Sequence, residues 1–293
     1  MAKVSCLIPS RNEQFMPQTV DDLFAKAAGD LEVIVVLDGY WPTVWPKEHP
    51  KLTYIHRSQA RGMRAGINAA AGVATGQYLM KLDGHCMLAE GFDEVLQADC
   101  EHDWLVIPRR VSLDAENWTI LDTRKSPVDY EYLSCPIPIE DGMHGAVWRD
   151  RARERLGKPE YEIDDDMSFQ GSCWFMRRSY FWEHIGGMSE VGYGTFIQEP
   201  QEIGLKVWLG GGRQVVNKRT WYAHLHKGKR YGRGYHMDRG ECIRGNVYST
   251  DFWINNRWEK RVQNIDWLIA KFWPVPGWPE DWRTRWESGE WKP

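Results

Sequence analysis

Short apolar runs and helix-spaced apolar positions alternate along the first hundred residues of this 293-residue chain. Residues 3–8, 31–37, 52–56 and 76–82 are compact apolar stretches of the kind that sheets bury on both faces. Between them, residues 15–28 place Phe15, Val20, Leu23, Phe24 and Ala27 close to helical spacing. Residues 61–73 do the same with Met63, Ile67 and Ala70, and residues 91–100 read as a third helix. Strands interleaved with helices predict an α/β fold, a mostly parallel sheet flanked by helices with right-handed crossovers. From Val111 to Asp166 the periodicity weakens. Ser126-Pro127, Cys135-Pro136 and Ile137-Pro138 interrupt regular structure there, so this stretch reads as a long connection lying over the site. Strands return at 171–176 and 214–216, and helices at 178–184 and 203–209, the last stopped by Gly210-Gly211-Gly212. The tail predicts at least one helix, over roughly 252–272, packed on the main body. The expected division is a catalytic-type domain over 1–235 and a Trp/Arg-rich extension over 236–293.

Composition alters this picture in a few places. Hydrophobic and charged fractions of 42% and 27% are those of an ordinary globular protein. No run approaches the length of a membrane span, and the apolar run from Val4 is too short for a signal peptide. Cys6, Cys86, Cys100, Cys135, Cys173 and Cys242 are scattered, without a C-x-x-C pair, and read as free thiols of a cytoplasmic protein. Tryptophan is abundant, seventeen in all and crowded towards the C-terminus, and those of the tail read as packing groups. The net charge of −4 conceals an asymmetry. Residues 213–261 hold twelve Lys/Arg against four acids, a net of +8, which leaves −12 on the rest of the chain. Such a segment suits a polyanionic partner such as DNA, or is a solvated basic face.

The candidate chemistry starts at Asp83-Gly84-His85-Cys86, directly after the apolar run 78–82. A carboxylate and an imidazole two residues apart at a strand's carboxyl end lie where open α/β sheets gather ligands. That pair suits a divalent transition metal such as Mn²⁺ better than an all-oxygen Ca²⁺ cage. Pro9-Ser10-Arg11 and Asp38 leave two other strands at carboxyl ends. His224 and His226 alternate on a strand and so share a face, which leaves either able to join a metal site. The run Asp164-Asp165-Asp166 reads as solvated or helix-capping rather than as a second metal cluster. A glycine-punctuated basic loop, Lys227 through Tyr235, follows the histidines, and its cations and tyrosines fit phosphate groups of DNA or of a nucleotide.

Taken together these segments resemble a GT-A fold glycosyltransferase, family-2-like and most similar to the catalytic domain of polypeptide N-acetylgalactosaminyltransferases. Arg61 through Ala65, Gly72-Val73-Ala74-Thr75-Gly76 and Leu82 through Cys86 are similar to that family's arginine-bearing helix, A-T-G step and D-S-H-C metal motif. Phe196-Ile197-Gln198-Glu199-Pro200-Gln201-Glu202-Ile203 falls where the family has W-G-G-E-N-x-E-I, and Tyr222-Ala223-His224-Leu225-His226 where it has V-G-H-V-F.

The resemblance implies Mn²⁺ (or Mg²⁺) held by Asp83, His85 and His224, and a UDP-sugar donor. Asp38 would accept from uracil N3–H, with Pro9 and Arg11 beside the nucleotide. Arg61 and Arg64, one helical turn apart, would face the pyrophosphate or else form surface salt bridges, with Lys229 and Arg230 closing over the phosphates. Glu199 and Glu202 are the candidate catalytic carboxylates, and transfer with retention of configuration is expected. Ile197-Gln198 replaces Gly-Gly and Pro200 replaces Asn, so a different sugar pocket is expected.

A hydroxymethylated base in DNA is the candidate acceptor, with protein Ser/Thr and glycan as alternatives. A sugar-nucleotide pyrophosphorylase would want a G-x-G-T-R-type loop after the first strand, and Pro9-Ser10-Arg11-Asn12 is not one. A catalytically silent nucleotide- or DNA-binding protein would have no need of Asp83, His85 and His224 together.

Overall fold

The computed structural model describes residues 2–123 and 127–291; Met1 and Ser126 of the Ser126-Pro127 break lie outside the described residues. The first half runs β1 (Val4–Ser10), α1 (Met16–Lys26), β2 (Leu31–Asp38), β3 (Leu52–Arg57), α2 (Met63–Val73), β4 (Tyr78–Leu82), β5 (Cys86–Leu88), α3 (Phe92–Ala98), β6 (Trp104–Asp114) and β7 (Thr119–Ile120). It continues through β8 (Glu131–Leu133), β9 (Gly145–Val147), α4 (Arg149–Arg155), β10 (Ile163–Asp165) and β11 (Cys173–Arg177). The last part holds α5 (Glu199–Leu209), β12 (Arg213–His224), α6 (Gly228–Tyr231), α7 (Arg239–Ile254), α8 (Ile265–Lys271) and α9 (Trp282–Glu287).

The main sheet has the order β10-β12-β6-β11-β4-β1-β2-β3. β3, β2, β1 and β4 are parallel neighbours, as the alternation predicts. β11 enters antiparallel between β4 and β6, and β12 then lies parallel to β6. Two antiparallel steps restore direction, so β4 and β12 end at the same edge. Both faces are covered. Cys6 and Ile8 of β1 pack with Met16, Val20 and Leu23 of α1, whereas Leu7 packs on the other face with Ile67 and Ala70 of α2 and Ile203 of α5. This two-sided burial is why the strands read as continuous apolar runs.

Several expectations need correction. The stretch 111–166 is not one irregular connection: β6 runs into it and β7 to β10 and α4 lie within it. Asp164-Asp165-Asp166 is not a solvated run. Asp164 accepts from Tyr130 and Arg155, Asp165 pairs with Arg213 and Lys271, and buried Asp166 accepts the Glu131 N–H. The segment expected as a helix at 178–184 is a π-helical turn, Tyr180–Ile185. The strand expected at 214–216 is the twelve-residue β12, and the helix expected at 203–209 starts at Glu199. The tail helix expected over 252–272 is two helices, α7 and α8, the second capped by Asn264 accepting the Trp267 N–H.

Trp253, Trp278, Trp282, Trp286 and Trp291 are buried in one apolar cluster with Tyr130, Trp148, Leu205 and Trp208 from earlier in the chain. These five tail tryptophans are packing groups, as expected, whereas Trp273 is exposed. None of the described helices is long and apolar enough to cross a membrane, and the six cysteines are unpaired.

Candidate active site

Strand ends assemble the cleft. β1 delivers Pro9 and Ser10, β2 delivers Asp38, β4 delivers Asp83 and β12 delivers His224, all to one edge of the sheet. β5 folds back as an antiparallel partner of β12, with Cys86 opposite His224, and the Leu225 N–H donates to the His85 carbonyl at 3.1 Å. This local pairing brings together residues 139 positions apart. The resulting cleft has a volume of about 700 Å³.

Three ligand-type atoms converge on its floor. His224 Nε2 lies 3.0 Å from His85 Nε2 and 3.5 Å from Asp83 Oδ2, and His85 Nε2 lies 3.9 Å from that oxygen. His226, the alternative, is exposed and does not join this group. Outer partners hold each group in place. Glu13 Oε2 accepts from His85 Nδ1 at 2.9 Å, which orients the ring with Nε2 towards the other two. Lys81, wholly buried, donates from Nζ to Asp83 Oδ1 at 2.6 Å and to the Gly171 carbonyl. Glu199 Oε2 stands 3.7 Å behind that ammonium, and Glu199 Oε1 accepts from Trp174 Nε1.

Charge follows this geometry. Burial opposes ionisation of Asp83, but Lys81 and the two histidines outweigh it and hold its carboxyl well below the usual range. Burial, helped by neighbouring His85, pushes His224 down to about 3, so its ring is neutral and able to ligate. Burial also lowers the charge tolerance of Lys81, but Asp83 and Glu199 more than compensate and keep it protonated. One carboxylate oxygen and two imidazole nitrogens form a donor set that fits a divalent transition metal. His224 Nδ1 is buried and has no partner among the described residues.

The other expected site residues divide. Pro9, Arg11 and Asp38 line the cleft, Arg11 with its guanidinium 5.2 Å from the Tyr235 ring. Asp38 is committed to backbone: it accepts from Arg61 N at 2.9 Å and Gly62 N at 2.8 Å, besides Arg57. Gly62 is needed there because its φ is +88° and a Cβ would fall 2.4 Å from the Thr195 carbonyl oxygen. Arg61 points outwards and pairs with Glu190 at 3.0 Å. Arg64 does not face the cleft; it is buried and bound to Glu202, Ser189 O and Ile197 O.

Glu199 and Glu202, each 1% exposed, do not line the cleft either. Lys229 and Arg230 sit on α6 outside the cleft lining, Arg230 paired with Glu116. Lys227 and Arg233 from the same loop do line it. Glu13, Lys81 and Gln170 are among the further residues at or behind the cleft that the sequence did not single out. Glu13 had one local signal: it directly follows the strand-exit residues Arg11-Asn12.

Residues 5–185 match the family described as glycosyl transferase family 2. The chain belongs to glycosyl transferase family 2. It is 27% identical over 182 residues to Probable N-acetylgalactosaminyltransferase 8 of Caenorhabditis elegans, covering 60% of this chain and 40% of that protein. It is 26% identical over 202 residues to Polypeptide N-acetylgalactosaminyltransferase 11 of Xenopus tropicalis, covering 67% and 31%. The chain therefore spans less than half the length of these curated relatives. A crystal structure of GalNAc-T7 with UDP, GalNAc and Mn²⁺ superposes with a TM-score of 0.68 at 16% identity, covering 98% of this chain and 55% of that one. Staphylococcus aureus TarS 1-349 in complex with UDP-GlcNAc superposes with a TM-score of 0.50 at 14% identity, covering 80% and 62%. The family-2 chain thus has the GT-A fold.

Proposed function

We propose that this family-2 protein is a glycosyltransferase that moves a sugar from a UDP-sugar to an acceptor hydroxyl. The observation that carries the reading is the convergence of Asp83 Oδ2, His85 Nε2 and His224 Nε2 on the cleft floor. These three residues would hold Mn²⁺, with Mg²⁺ the alternative. A bound cation of this kind neutralises charge on a departing diphosphate. Around it, Lys227, Arg233 and Arg11 offer positive charge to phosphates, while Pro9 and Asp38 border the nucleotide. Lys81 and Glu199 act behind the site: Glu199 keeps Lys81 charged and Lys81 fixes the Asp83 carboxylate.

Retention of configuration is the outcome we favour. An inverting enzyme needs a carboxylate free to deprotonate the acceptor. The described carboxylates lining the cleft are Glu13, Asp38 and Asp83, and each is committed to cationic or backbone donors. For the acceptor, a hydroxymethylated base in DNA, flipped into the cleft, now rests on the cations at the cleft alone. Much of the basic segment points elsewhere: Arg213 pairs with Asp165, Arg219 with Asp99 and Arg257 with Asp251. Protein Ser/Thr is the competing acceptor, supported by the polypeptide transferase among the relatives. A cytoplasmic location is supported by six unpaired cysteines.

The test is UDP release from a panel of UDP-sugars with Mn²⁺, offered hydroxymethylated duplex DNA or Ser/Thr peptides. Release that requires one acceptor and is lost in Asp83→Ala supports the reading and names the acceptor. UDP-sugars left intact with every metal and acceptor would contradict it.

A further inference from the structure

Gln170 lies in the cleft beside the three converging ligands, at the turn into β11. Two residues on, the Ser172 carbonyl accepts the Asp83 N–H at 2.8 Å, so this turn is pinned to the end of β4. The orientation of the Gln170 amide is settled by its partners. Arg110 donates from Nη1 to Gln170 Oε1, and a guanidinium has no acceptor to offer in exchange. Ser172 Oγ donates to the same oxygen at 3.1 Å. Arg110 is anchored in turn by Glu131 at 2.5 Å, and Ser172 Oγ by the Tyr222 hydroxyl at 2.7 Å.

The amide oxygen is therefore saturated from behind, and the oxygen and nitrogen cannot exchange places without facing Nε2 to the guanidinium. Nε2 has no protein partner among the described residues. It is a donor held in place at the wall of the cleft that also holds the three ligands. Donors fixed in this way by buried partners select ligands that bring an acceptor oxygen to them.

We propose that Gln170 is a specificity residue that donates its Nε2–H to an oxygen of the sugar carried by the nucleotide donor. The inference rests on the donor reading above. It follows from position: the sugar is bonded to the terminal phosphate, the phosphate is what the ligands on the cleft floor would face, and Gln170 adjoins those ligands.

Gln170→Glu separates recognition from structure. The glutamate keeps an oxygen for Arg110 and Ser172 and replaces only the donor. Its added charge repels UDP more than UDP-sugar, because free UDP carries more phosphate charge. Charge alone would thus move the UDP-sugar to UDP affinity ratio in favour of the sugar nucleotide.

The experiment measures binding of UDP and of UDP-glucose, UDP-galactose, UDP-GlcNAc and UDP-GalNAc with Mn²⁺, to wild type, Gln170→Glu and Gln170→Met. The expected result is a fall of about tenfold in the UDP-sugar to UDP affinity ratio in both variants, for the best-bound sugar. Thermal melting of Gln170→Glu stays at the wild-type value. A ratio unchanged in Gln170→Glu would overturn the inference and leave Gln170 as a structural residue. Failure of wild type to bind UDP at all would overturn the donor reading itself, and the inference with it.

Discussion

Glu13 gives one carboxylate oxygen to both His85 Nδ1 and Lys227 Nζ, and so joins a proposed metal ligand to the start of the basic loop. Burial works against its ionisation, but His85 and Lys227 outweigh it and lower its pKa. A carboxylate behind a ligating histidine orients the ring and makes its other nitrogen more basic. Glu13→Gln is expected to weaken Mn²⁺ binding by about tenfold without unfolding the protein, measured by calorimetry. Wild-type Mn²⁺ affinity in this variant would show that Glu13 serves only the loop.

At this scale the sequence was informative where chemistry is local. Asp83 and His85 are two residues apart and stand at the end of an apolar strand, so their pairing needs no long-range information. Glu13 and Lys81 act on those same ligands, but Glu13 does so across 72 positions, and Lys81 is indistinguishable in sequence from an exposed strand lysine.

Between elements, a buried polar tie joins α2 to α5. Arg64 on α2 meets Glu202 on α5, each side chain 1% exposed, and also takes the carbonyls of Ser189 and Ile197 and stacks 4.1 Å over Tyr193. Lys206, one turn on, holds the other Glu202 oxygen at 2.7 Å. The arginine therefore clamps the segment that carries Thr195 and Phe196 to the cleft wall.

Arg64→Met leaves Glu202 short of a partner in a buried site and is expected to cost about 3 kcal/mol of stability, measured by urea denaturation. If Arg64 instead contacted pyrophosphate directly, stability would hold and UDP affinity would fall. Helical spacing made α1, α2 and α5 legible and showed Arg61 and Arg64 one turn apart. It could not show that Arg64 turns inward, because the partner that makes burial tolerable is 138 residues away. β6 escaped notice for a related reason: its register is set by β11 and β12, which arrive late in the chain.

Over the whole molecule, the GT-A architecture was legible because the parallel half is built from consecutive strand–helix units. The distribution of charge was not. A run of cations between 213 and 261 is spread by one strand and two helices over different sides, and many of its members meet acids. Linear charge counting thus overstated a basic face, and it is the sheet edge that concentrates function. Strands β1, β2, β4 and β12 all end there, and β5 turns back to set His224 against His85.

That convergence is measured directly by Mn²⁺ binding in the presence of UDP, by electron paramagnetic resonance. Wild type, Asp83→Ala, His224→Ala and His226→Ala would be titrated side by side. The expected result is one bound Mn²⁺ in wild type and in His226→Ala, and loss of it in Asp83→Ala and His224→Ala. Undiminished binding in His224→Ala, or loss in His226→Ala alone, would contradict it.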